Sequence, residues 1–224
     1  MATASLTESR HAPSEIKRAI AALEAAREDF DAPVDVVWLS QLNLTLDEFL
    51  RLPDVKPALE YQGGRITQKV SPKLRHGRMQ LTLCVLFNHY GEPGKIALAF
   101  PELRFSLPPS RISYVPDVAV IRWERIPLAP DGEALDDFFA MPDILVEVLS
   151  PGQRVNPTAR RCAWYVSRGA QAALLVDPRR HTITVFRPGQ EAQALSGADR
   201  LDLTGVLPGC NVPVDDIFAA LRLR

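Results

Sequence analysis

Met141 to Pro178 reads MPDILVEVLSPGQRVNPTARRCAWYVSRGAQAALLVDP. The apolar run at 143–149 has strand length and is rich in valine and isoleucine. Asn156-Pro157 carries the signature of a helix start, and Gly169 closes the helical pattern that follows. A second, nearly continuous apolar segment, AALLV, then runs into Asp177-Pro178. Strand, helix and strand within 143–176 predict two parallel neighbours joined by a right-handed crossover.

Working outward, HTITVFRP (181–188) pairs with AALLV as a hairpin across Asp177–Arg180. On the other side, YVPDVAVIRW (114–123) supplies a strand at about 115–122, and a further strand is expected at 96–106. A long, acidic, proline-containing loop separates 122 from 143. Before these strands, Met79, Leu83, Leu86 and Tyr90 mark one face of a helix that starts near Ser71-Pro72 and ends near Gly91. LEYQGGRITQKV (59–70) reads as a hairpin turning at Gly63-Gly64, and TLDEFLRLP (45–53) as a capped short helix. Ser14–Asp29 forms a narrower apolar stripe through Ile16, Ile20, Leu23 and Phe30. The order is helix, three strands, helix, strand: an α/β fold with a mixed sheet and flanking hairpins. Residues 1–40 are expected to be an N-terminal helical extension and 41–224 the main domain.

The 224 residues are 46% hydrophobic and 24% charged, enough for a core of ordinary size. A net charge of -1 exerts no global pull on nucleic acid or an anionic membrane, so any such contact needs a local basic cluster. Cys84, Cys162 and Cys210 are too few and too scattered for a disulfide framework or thiolate centre, and Cys84 and Cys162 read as core. No run approaches the roughly 18 apolar residues of a membrane span, and no signal architecture is visible. A cytoplasmic protein is expected.

Acids in apolar strands need a reason. Asp143 and Glu147 lie four residues apart on one strand, about 13 Å at ~3.3 Å per residue, so they cannot grip one ion. If 115–122 pairs antiparallel with 143–149, Asp117 falls beside Glu147, one strand spacing of about 4.8 Å away. Asp143 then reads as a turn residue. A carboxylate inside ILVEVL is costly unless it is neutralised or meets a cation. That cation is either an arginine or a hard divalent ion such as Mg²⁺, which takes one or two carboxylates and keeps places for water and phosphate.

Seven blocks, in order, are similar to the Uma-two family of the PD-(D/E)XK nuclease superfamily: LEYQGGRI, SPKLRHGRMQ, AFPELRF, VPDVAVIRWERIP, PDILVEVLSP, GAQAALLVDP with TVFRPG, and LPGCNVPVDDIF. The similarity runs from about Leu46 to Phe218. It implies a restriction-endonuclease-like core and Mg²⁺- or Mn²⁺-dependent hydrolysis of nucleic acid, DNA before RNA. Position by position, Asp117 matches the Pro-Asp aspartate and Glu147 the strand glutamate, the implied metal ligands. Leu149 stands where the superfamily motif has lysine. The resemblance implies a basic residue on the next helix in its place, which falls on Arg161. Arginine can hold phosphoryl charge through a bidentate contact but cannot take a proton from water.

Glu60 and His76 also match the family and, with Glu102, are candidates for additional site residues; each has a packing, strand or capping role as its alternative. Lys69, Lys73, Arg75 and Arg78, with Arg154 on the other side, are the expected phosphate contacts. Trp123 and Trp164 have the chemistry to stack on bases, or simply to pack. His181 is expected to be exposed at its hairpin. No helix-turn-helix or zinc finger is present. The reading is therefore a Mg²⁺-dependent endonuclease. The alternative is an inert nuclease-fold protein that binds nucleic acid or a protein partner. A homodimer is consistent with the resemblance, because such nucleases cut two strands as a pair.

Overall fold

The computed structural model describes residues 13–28 and 34–223. Along the chain come α1 (Pro13–Glu28), α2 (Val36–Gln41), α3 (Leu46–Leu50), β1 (Leu59–Gln62), β2 (Arg65–Gln68) and α4 (Leu74–Gly91). There follow β3 (Ala97–Pro101), β4 (Phe105–Leu107), β5 (Ile112–Tyr114), β6 (Val118–Arg122), β7 (Ile144–Val148) and α5 (Val155–Ser167). The chain finishes with β8 (Ala172–Asp177), β9 (Thr182–Phe186), β10 (Gln193–Ser196), β11 (Arg200–Asp202), β12 (Asn211–Pro213) and α6 (Val214–Ala219). It divides into two compact units: Met1–Ser71 with Ser106–Val115, and Pro72–Phe105 with Pro116–Arg224.

In the first unit β1 turns into β2 through Gly63 (φ 56°) and Gly64 (φ 101°), the two positive φ values a two-residue hairpin requires. Glu48 is almost fully buried because it completes a capping box: Thr45 Oγ1 accepts from Glu48 N–H, and Glu48 Oε2 accepts from Thr45 N–H. Ala19 and Leu23 of α1 pack with Leu39, Leu44, Phe49 and Tyr61. The N-terminal helix thus shares one core with the hairpin rather than parting from it at residue 40. Phe30, the last residue of the expected stripe, lies outside the described residues.

The second unit holds a six-stranded sheet in the order β10-β9-β8-β7-β6-β3. β7 and β8 are parallel and joined through α5, whereas β6–β7, β3–β6 and β8–β9 are antiparallel. Side chains alternate across such a sheet. Val118, Val120, Ile144, Val146, Val148, Leu174 and Val176 meet Met79, Leu83 and Phe87 of α4 and Val214, Ile217 and Phe218 of α6 in one core. Leu145 and Glu147 take the other parity, toward α5. At roughly 25 cal/mol per Å² of apolar surface buried, each of Met79, Leu83 and Phe87 contributes about 2–3 kcal/mol.

Several boundaries differ from the sequence expectation. The strand expected at 96–106 is two strands in different sheets, broken where Glu102 takes φ 48°. Asp117 stands just before β6 rather than within it. α4 starts at Leu74 with Lys73 as its cap, because Ser71-Pro72 does not adopt helical geometry. Pro157 sits inside the first turn of α5, where its missing N–H costs nothing. His181 is half-buried, with its ring stacked on Phe218 at 5.0 Å.

Candidate active site

The two Pro-Asp pairs do the same local work at opposite ends of one strand pair. The β6–β7 ladder ends at Val118 facing Val146, and Asp117, one residue before it, donates its N–H to Val146 O, which sets it against the stretch of β7 that carries Glu147. Asp117 Oδ2 accepts from Val148 N–H at 2.6 Å. At the other end Asp143 Oδ2 accepts from Arg122 N–H at 2.9 Å. Each aspartate side chain therefore supplies the acceptor that the partner strand lacks once its ladder has ended, which is why each sits at a strand mouth.

Their surroundings then diverge. Asp143, expected to be a turn residue, is 3% exposed and is the centre of an ion-pair cluster. Arg125 Nη1 lies 2.8 Å and Arg122 Nε 3.7 Å from its oxygens, and Gln171 donates to Oδ1. Its partners are all structural, and Asp143 holds the far end of the sheet.

Asp117 is fixed through every backbone group. Its N–H donates to Val146 O, and its carbonyl accepts from Glu102 N–H and from Gln80 Nε2. His76, in the first turn of α4, places Nε2 3.3 Å from Asp117 Oδ1. Glu147, 6% exposed in the middle of β7, accepts from the Tyr165 hydroxyl at 2.6 Å. Arg161 Nε lies 3.5 Å from the same oxygen, Oε1. Tyr165 and Arg161 are one helical turn apart on α5, so both reach β7 from one face. The arginine side of the sequence expectation is thus present at Glu147. It does not exclude a second cation, because a carboxylate has about four lone-pair positions.

The donor set fits a hard dication held by few protein oxygens. Two carboxylates from adjacent strands match what Mg²⁺ takes from a protein, the remaining positions going to water and substrate. Among the described residues no three His, Cys, Asp or Glu side chains form a metal-binding group, so a fully protein-caged ion is not built. Thiolate ligation is remote as well. Burial pushes the Cys84 and Cys210 thiols up to about 11. Cys162 is raised further by burial and by the nearby Glu147 charge.

The other candidate residues fall in both units. Glu60 is buried in the first unit, where its Oε1 accepts from Val115 N–H; Lys69 Nζ donates to the carbonyl of the same residue. Glu102, expected on a strand beside Asp117, lies beyond the end of β3 and meets Asp117 through its backbone. In the second unit Lys73, Arg75 and Arg78 are exposed at the start of α4, Arg78 donating to Ala220 O. Arg154 is exposed at the N-cap of α5 and, with Arg160, lines a shallow recess of about 470 Å³. The contact between His76 and Ser150 brings the start of α4 to the end of β7, close to where α5 begins. Trp123 and Trp164 are half-buried, with Lys95 and Arg168 over their rings.

Tyr165 and Ser150 were not among the sequence candidates. Tyr165 carried a usable signal, the four-residue spacing from Arg161. Ser150 carried none, since its partner is 74 residues away. Replacing Tyr165 by phenylalanine keeps the ring contacts with Phe105 and Trp164 and removes the donor to Glu147. The expected cost is about 2 kcal/mol, read from chemical denaturation, because a hydrogen bond to a buried charge is lost.

A mixed sheet of this order, with α4 and α6 on one face and α5 on the other and a Pro-Asp acid set against the strand that carries a glutamate, is the restriction-endonuclease-like class of α/β fold. The chain belongs to the Uma2 family, described as "Putative restriction endonuclease", whose model matches residues 46–215. Among solved structures it is similar to a putative nuclease belonging to DUF820 from Anabaena variabilis, at 34% sequence identity and a TM-score of 0.75. That match covers 80% of this chain and 99% of the other. No curated protein matches. No helix among the described residues is long and apolar enough to cross a membrane.

Proposed function

We propose that the chain is a metal-dependent endonuclease that hydrolyses phosphodiester bonds of nucleic acid, with DNA as the first substrate to test. The observation that supports this reading is that Asp117 and Glu147 are both buried, Asp117 Oδ2 accepting from the N–H of the residue after Glu147, with a guanidinium beside the glutamate. Asp117 and Glu147 would hold Mg²⁺ or Mn²⁺, which when bound supplies Lewis-acid stabilisation of phosphoryl charge and a water of lowered pKa. Lys73, Arg75 and Arg78 on α4 and Arg154 on α5 are available to hold backbone phosphates. Arg161, one-quarter exposed, reaches Glu147 and is suited to developing negative charge on the phosphate.

Arg161→Ala is expected to lower the cleavage rate about 100-fold, the loss typical of one stabilising donor. Plasmid cleavage in Mn²⁺ or Mg²⁺ measures it. The proposal itself is tested by calorimetric titration of the purified protein with both ions, and absence of binding would sink it.

A second reading, an inert nuclease-fold binder, is favoured by one observation. Leu149, in the motif's lysine position, is buried and its N–H continues the sheet to Val176, so no lysine stands there. DNA binding that persists without cutting in either ion would select it.

A further inference from the structure

Ser150 lies two residues beyond the strand that carries Glu147, and its hydroxyl lies 3.0 Å from His76 Nδ1. The other ring nitrogen of His76 faces Asp117 Oδ1 at 3.3 Å. All three side chains are buried, at 9%, 7% and 2% exposure. We propose that Ser150, acting through His76, is a positioning residue for Asp117: its hydroxyl holds the imidazole by Nδ1 so that Nε2–H stays aimed at the carboxylate.

The direction follows from donor and acceptor capacity. An ionised carboxylate only accepts, so the nitrogen facing it must carry the proton. In neutral imidazole the remaining nitrogen, Nδ1, is then an acceptor, and the Ser150 hydroxyl is the group placed to donate to it. Proton positions thus run Ser150 O–H to Nδ1 and Nε2–H to Asp117. The carboxylate selects the Nε2–H tautomer, since a hydroxyl can accept as well as donate. What the Ser150 hydroxyl adds is a partner for Nδ1, and without it a buried acceptor is left unpaired and the ring loses one of its two anchors.

The serine is itself held. Ser150 N–H donates to Gln153 Oε1, Gln153 N–H returns to Ser150 O, and Pro151 with Gly152 at φ 89° fills the turn between them. His76 is anchored by the first turn of α4, so neither partner needs to order itself when the pair forms. Outer partners of ligating groups act in this way on metal affinity. The consequence for metal rests on the proposed role of Asp117 as a ligand; the relay does not.

Two measurements separate these. Nitrogen-15 spectra of histidine-labelled, metal-free protein report the tautomer directly, and His76→Gln assigns the resonance among the four histidines. The expected result is a ring protonated at Nε2 with a hydrogen-bonded Nδ1, whose resonance moves to that of a non-hydrogen-bonded imine nitrogen in Ser150→Ala and is unchanged in Ser150→Thr. An Nδ1–H ring in the native protein would overturn the relay. Calorimetry with MnCl₂ is expected to show affinity about tenfold weaker in Ser150→Ala, restored in Ser150→Thr. In a His76→Gln background, where the amide nitrogen replaces Nε2, Ser150→Ala should change nothing further. Native affinity in Ser150→Ala would overturn the positioning role. Absence of Mn²⁺ binding in the native protein would overturn the metal reading and the positioning role together, while the spectra still decide the relay.

Discussion

Glu147→Gln and Asp117→Asn are each expected to cut cleavage by about 1,000-fold or more and to weaken Mn²⁺ binding, with the fold retained. Loss of a ligand charge removes several kcal/mol of transition-state stabilisation, and 1.36 kcal/mol corresponds to a factor of ten. Both substitutions keep shape. Asparagine retains an oxygen for Val148 N–H, and glutamine retains one for the Tyr165 hydroxyl. Far-ultraviolet circular dichroism should therefore stay native, with a modest fall in melting temperature from the weakened His76 and Arg161 contacts, while activity collapses. Native-like cleavage by either variant would remove the acid from the chemistry.

Asp143→Ala should do the reverse. It lies in the same pair of stretches and caps the same pair of strands, yet its partners are Arg122, Arg125 and Gln171. Truncation leaves the Arg122 N–H without its acceptor and strips two guanidinium groups of their counter-charge. The arginine side chains are each 34% exposed and can be partly rehydrated, so the expected loss is about 3 kcal/mol rather than the full cost of an unpaired buried charge. For a chain of this size that is a fall in melting temperature of roughly 6–12 °C. Metal affinity of the protein that remains folded should be native. A variant that melts like native would show that the cluster contributes nothing net.

The contrast between these acids marks how far the residues could be read. Alternation and apolar runs placed β7, α5, β8 and β9, because strand and helix periods are local properties of the chain. The antiparallel choice for β6 and β7 agrees with the observed pairing, which ends at Val118 and Val146, one residue short of Asp117 and of Glu147. Counting set Asp143 and Glu147 too far apart to share an ion. Where the count failed was at element ends. The break at Glu102 and the start of α4 at Leu74 depend on a single positive φ and a single extended residue, which weak local preferences do not single out.

By itself the sequence determined the α/β order and the mixed sheet, since periodicity is a one-dimensional fact, and it singled out Asp117 and Glu147 once an antiparallel pairing was assumed. Only the tertiary structure decided what each acid meets. The Tyr165 and Arg161 contacts to Glu147, the His76–Ser150 pair behind Asp117 and the arginine cluster on Asp143 join residues from separate elements. No pattern along the chain encodes which buried polar groups satisfy one another. That pairing is set where strands end and helices cross, by the cost of leaving a buried donor or acceptor alone.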